Sequence, residues 1–125
     1  MAIPKRVKQG GCYYKGSILP VSSASGDYVA FLSITAGGCA LNGISVIPAS
    51  AGPGDTIKLE HLTQSSGGAV VATLAESIPN MGAGIPINLD FYAQELMLSG
   101  ESLKLTYTNT ASVAMNVFII LERGR

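Results

Sequence analysis

Residues 100–122 read GESLKLTYTNTASVAMNVFIILE. Leu103, Leu105 and Tyr107 alternate with Lys104, Thr106 and Thr108. That period of two marks a strand with one face in a core. Asn109, Thr110, Ala111 and Ser112 form a short polar break of turn-forming residues. Val113, Met115, Val117, Ile119 and Leu121 then alternate again. Two such runs joined by a few polar residues predict a β-hairpin. Phe118, Ile119, Ile120 and Leu121 are apolar on both faces, so the outward face should also be covered. These four residues are the expected self-association surface.

The pattern has a counterpart upstream. Residues 54–61, GDTIKLEH, lie over residues 100–107, GESLKLTY. With no gap, Val71 falls on Val117 and Glu76 on Glu122. Two long hairpins facing each other would form the skeleton of a β-sandwich.

Composition bounds the rest. The chain has 125 residues, enough for one domain with a real core. Only 13% of residues are charged and 47% are hydrophobic, against about 25% charged in an ordinary soluble domain. A lone monomer with so few charges would be poorly soluble, which points to surface covered by other subunits. No apolar run reaches the length of a membrane-spanning helix. The first residues lack the apolar segment of a signal peptide, so export is not expected. Cys12 and Cys39 stand in no metal-ligand spacing and are expected as free thiols rather than as a pair.

Charge is balanced overall but not evenly spread. Residues 1–26 hold Lys5, Arg6, Lys8 and Lys15 and no acid, while every acidic residue lies beyond them. A basic arm on a mildly acidic body suggests an acidic protein neighbour; four scattered bases are poor support for nucleic-acid binding. The same stretch is broken by Pro4, Gly10, Gly11, Gly16 and Pro20 and has no sustained period. It is expected to be an extended arm, residues 1–26, anchored on a neighbour, with residues 27–125 forming the sandwich. Its expected partner-binding residues are Ile3, Lys5, Arg6, Val7, Lys8, Tyr13 and Tyr14.

Further strands are expected at residues 28–35, 44–47, 56–62, 69–76, 85–89 and 96–99, with a helical turn or loop at 90–95. About eight short strands with Gly, Pro, Ser and Asn between them predict an all-β antiparallel sandwich. The count fits a jelly roll; a smaller sandwich with Greek-key links is the alternative.

A search for catalytic sets yields none. His61 is the one histidine and takes an inward position in the alternation, as Tyr107 does, so it is expected to be a packed ring. Gly82-Ala83-Gly84 lacks the strand and helix of a dinucleotide site. The carboxylates are scattered, and no calcium-loop motif occurs. No enzymatic activity, cofactor or metal is expected.

The basic, partly apolar arm, the low-charge sandwich and the GESLKLTYTNT stretch (residues 100–110) resemble the small decoration, or cement, proteins of tailed-bacteriophage capsids. The resemblance covers mainly residues 54–122. It implies a β-sandwich of jelly-roll type that binds the major capsid protein on the outside of the virion and stabilises joints between coat subunits. It also implies a homotrimer, made in the host cytoplasm, with no nucleic-acid or membrane partner. A receptor- or glycan-binding fibre head is the alternative, disfavoured by the absence of Trp and the few Tyr and Phe. A tail or neck adaptor is a further one.

Overall fold

The computed structural model describes residues 13–33, 39–64, 68–97 and 100–124. Eight strands follow one another: β1 (Tyr13–Val21), β2 (Gly26–Ser33), β3 (Cys39–Pro48), β4 (Thr56–Leu62), β5 (Val70–Pro79), β6 (Ile87–Met97), β7 (Ser102–Asn109) and β8 (Met115–Gly124). They form two four-stranded sheets, with orders β1-β8-β3-β6 and β2-β7-β4-β5. The antiparallel pairs β1·β8, β2·β7, β3·β6 and β4·β5 nest one inside the next. The β8·β3 and β7·β4 contacts complete each sheet. A long antiparallel ribbon folded at the β4–β5 turn and rolled on itself gives this order, which is the jelly roll.

The core follows the alternation. On β8, Met115, Val117, Ile119 and Leu121 are buried while Asn116, Phe118 and Ile120 face out. On β7, Leu103, Leu105 and Tyr107 are buried. Leu19 and Val21 of β1, Ile44 and Val46 of β3, and Ile57 and Leu59 of β4 fill the space between the sheets. Each aliphatic side chain buried there contributes about 1.5–3 kcal/mol. Strand β5 closes its sheet as an edge. Its pairing with β4 slips at three places, and Ser77 takes a positive φ of 56°. Such irregularity leaves an edge a poor template for further strand pairing.

Three expectations are corrected. The C-terminal runs are strands, but they do not form a hairpin, because β7 and β8 belong to opposite sheets. Their link crosses the end of the sandwich instead of turning within one sheet. The β4–β5 hairpin does form. Next, residues 1–26 are not an arm throughout. Tyr13–Val21 pairs along its whole length with β8, from Tyr13 opposite Arg123 to Val21 opposite Met115. Leu19 and Val21 enter the core there, so the anchors in this half serve the chain's own fold. Last, residues 90–95 are neither helical turn nor loop; the two short runs around them merge into β6.

Candidate functional site

Two features stand out: a hydrogen-bonded knot at one end of the sandwich and an apolar outer sheet face. The knot centres on Asp55, which is fully buried just before β4. Its Oδ2 accepts from the Tyr107 hydroxyl at 2.6 Å. Its Oδ1 accepts from the Thr110 and Ala111 backbone N–H groups at 2.6 and 2.9 Å and from the Thr110 hydroxyl at 3.0 Å. The Asp55 backbone carbonyl accepts from the Asn80 N–H. Asn80 Nδ2 donates to the Tyr107 oxygen at 3.0 Å and to the Ser50 carbonyl at 3.2 Å. Buried Asn109 donates to the Ser22 carbonyl at 2.8 Å. All four links at this end, β1–β2, β3–β4, β5–β6 and β7–β8, are thereby tied together.

The electrostatics follow from the geometry. Burial by itself would raise the Asp55 carboxyl; the hydrogen bonds from Tyr107, Thr110 and Ala111 outweigh it and leave the group below its ordinary range. Burial, reinforced by the Asp55 carboxylate, pushes the Tyr107 phenol well above its ordinary value. A carboxylate that is fully enclosed and holds four donors is built to hold loops, not to meet a substrate. The close approach depends on Gly52: a Cβ there would overlap the Asp55 carboxylate.

The outer faces of the two sheets differ in chemistry. On the β2-β7-β4-β5 sheet the outward positions mix charge, hydroxyl and apolar groups: Lys58, the nearly buried Glu60, Lys104, Thr106 and Thr108, with exposed Val29 opposite Thr106 and exposed Phe31 opposite Lys104. The Thr108 hydroxyl donates to Asp27 at 2.8 Å, and Lys58 lies 3.5 Å from Glu60. On the β1-β8-β3-β6 sheet, Ile18 stands opposite Phe118, and Phe118 opposite Ile47. That makes an apolar row across three strands, with exposed Pro86 just ahead of β6. Ile120 lies in the next row between Gly16 and Ser45. Ile18 is 57% exposed, Phe118 38% and Ile120 37%. Together these side chains line a shallow groove of about 630 Å³.

The expected self-association residues therefore separate. Phe118 and Ile120 face outward, whereas Ile119 and Leu121 are core residues of this chain's own sandwich and are unavailable to a partner. Of the expected arm residues, Tyr13 and Tyr14 belong to β1, and Ile3, Lys5, Arg6, Val7 and Lys8 lie outside the described residues. His61 is buried, with its Nε2 2.9 Å from Glu101 Oε1. Among the described residues, no three His, Cys, Asp or Glu side chains come together as a metal site would need.

No protein-family model and no curated protein matches this chain. Among solved structures, the structure of infectious bursal disease virus, Gx strain, is weakly similar: 13% identity, a TM-score of 0.27, 88% of this chain covered and 36% of that one. This chain thus spans about a third of the viral chain's length. A superposition that loose carries no argument about fold or function.

Apart from an acid at a strand start, nothing in the residue pattern announces the Asp55 knot. One signal was present. Tyr107 takes an inward position, and a buried phenol requires a hydrogen-bond partner. The apolar row was half visible, through Phe118 and Ile120. Its other members became neighbours only when β1 and β3 took their places beside β8.

Proposed function

We propose that this chain is a structural protein of a virus particle that acts by binding rather than catalysis. It decorates the outside of a capsid and stabilises the joints between coat subunits. The observation that carries the reading is the uncharged apolar row across an outer sheet face, set on a sandwich whose end loops are tied rigidly together. An exposed row of this kind marks an interaction surface. The jelly roll is a recurring architecture of capsid domains, and that support is an analogy of fold. The low charge of the chain agrees with a surface that is largely covered in the assembled state.

In this reading, Lys5, Arg6 and Lys8 steer the segment ahead of β1 towards an acidic coat surface, and Ile3 and Val7 anchor it. The steering part weakens with salt, since exposed charges are screened beyond about 8 Å at physiological ionic strength. Repetition around a capsid symmetry axis adds avidity, because later contacts form within an already bound assembly.

The test is co-sedimentation with capsids of the virus that encodes the chain. The full chain should pellet with them. A chain lacking residues 2–12, which keeps β1 whole, should stay in the supernatant. Equal binding by the truncated chain would move the grip onto the sandwich. If neither form binds, the decoration reading fails.

A further inference from the structure

We infer that the free edge of β2 is a strand-pairing site for a second copy of this chain. The two β2 strands run antiparallel about a two-fold axis at Ala30 and join two sheets into one. Three observations lead there, and none depends on the decoration role.

The first is a contrast among the edges. Each sheet ends in two edge strands, β1 and β6 in one, β2 and β5 in the other. An edge offers unpaired N–H and C=O groups, and folded proteins interrupt such rows with proline, bulges or charge. Strand β1 carries Pro20, which has no N–H. Residues 91–94 of β6 bulge opposite the single Asn42. Strand β5 slips against β4 at three places and ends in Pro79. Strand β2 has none of these devices. Its register with β7 runs unbroken from Gly26 opposite Asn109 to Ser33 opposite Ser102. It holds no proline or basic residue, and its one charge, Asp27, stands near one end. Among the described residues, no strand lies on its other side.

The second is the order of residues. From residue 27 to residue 33 the strand reads Asp-Tyr-Val-Ala-Phe-Leu-Ser. From either end the order is polar, large, large, alanine, large, large, polar. Residues directly opposite in an antiparallel pair share a face of the sheet. A two-fold at Ala30 therefore sets Val29 opposite Phe31 on the outer face, twice, and Tyr28 opposite Leu32 on the core face, twice. Asp27 comes opposite the Ser33 position, so no like charges meet. A two-fold at Val29 would instead set Phe31 against Asp27, and one at Phe31 would set Val29 against Ser33.

The third is preorganisation. Val29 and Phe31 are exposed, while Leu32 is buried and Tyr28 and Ala30 pack against the core. The strand entry is fixed as well. The Tyr28 hydroxyl donates to the Ala24 carbonyl at 2.7 Å, and the Thr108 hydroxyl to Asp27 at 2.8 Å. An edge already held in place loses little freedom on pairing. A contact confined to one strand is smaller than a standard interface, so the pair belongs at micromolar rather than nanomolar concentration.

Sedimentation equilibrium and hydrogen exchange of the full chain, without capsids, test the inference. At micromolar concentration the expected mass is twice 12.9 kDa. Alternate amides between Asp27 and Ser33 should be protected in the pair and lose that protection on dilution. Phe31→Glu, which places a carboxylate opposite Lys104, and separately Val29→Lys should each weaken the pair about tenfold or more, since charge at an edge opposes pairing. Both positions face outward, so far-UV circular dichroism should show the fold kept, and either folded variant decides the point. Phe118→Lys, on the other sheet, should leave the pair intact. A wild-type monomer or trimer overturns the inference, as does a pair that survives Phe31→Glu or Val29→Lys. Amides of β2 equally protected at every dilution also overturn it, because the chain then covers its own edge.

Discussion

Replacing Asp55 with Asn tests whether the knot holds the end of the sandwich together. The substitution keeps size and shape. It removes the negative charge and turns one acceptor oxygen into a donor. With Oδ1 kept on Thr110 and Ala111, the new amide faces the Tyr107 hydroxyl, which loses its acceptor. One charge-assisted hydrogen bond is worth about 1.5–3 kcal/mol, and the three remaining bonds fall to neutral strength. The summed cost is about 3 kcal/mol, a large fraction of the stability of a small domain. In a chain of this size that lowers Tm by roughly 10 °C. The pH dependence supplies the sharper check. The folded carboxyl lies below its ordinary value, so the unfolded state binds the proton more readily. The Asp55 contribution is therefore complete above the unfolded value of about 3.9 and is lost as pH falls through the lower folded value. Denaturant melts of wild type and Asp55→Asn should differ by about 3 kcal/mol at pH 7, and the gap should narrow as pH falls below about 3.9. A difference under about 0.5 kcal/mol at pH 7, no larger than an ordinary surface substitution gives, would show that the knot is incidental to stability. A gap that does not narrow in acid would show that the charge is not what holds the loops.

Three further outcomes are expected. Gly52→Ala should destabilise by about 1–3 kcal/mol, since its Cβ must displace the Asp55 carboxylate; thermal melts read this directly, and an unchanged Tm would contradict the packing. Ile119→Asp should abolish folding, because it places a carboxylate in the core at a cost of several kcal/mol, whereas Phe118→Ser next to it should leave the melting transition nearly unchanged. Soluble, cooperative unfolding of Ile119→Asp would mean that β8 faces the other way. His61→Phe should cost about 1–3 kcal/mol through the lost contact with Glu101, while leaving self-association and capsid binding in place; loss of binding in a folded protein would reassign that imidazole to function.

Alternation by itself determined the presence and facing of most strands. Leu103, Leu105 and Tyr107, and Val117, Ile119 and Leu121, point inward as their spacing demands. A side-chain period of two fixes which residues enter a core, whatever the sheet. It carries no information on which strand lies beside which. A short polar link after Asn109 can turn within one sheet or cross to the other with the same local pattern. The crossing was decided by Asp55, remote in sequence, which grips Thr110 and Ala111, and by Asn109, which holds the β1–β2 turn. The fate of β1 shows the same limit. Glycine and proline made Tyr13–Val21 look like part of an arm, yet at a sheet edge its exposed side can carry Pro20 and Gly16 while Leu19 and Val21 fill the core. The candidate surface divides in the same way. The outward apolar residues of β8 could be read from the chain. Their continuation through Ile18 and Ile47 arose only from the strand order, because contacts between strands distant in sequence are set by the packing of the whole sandwich.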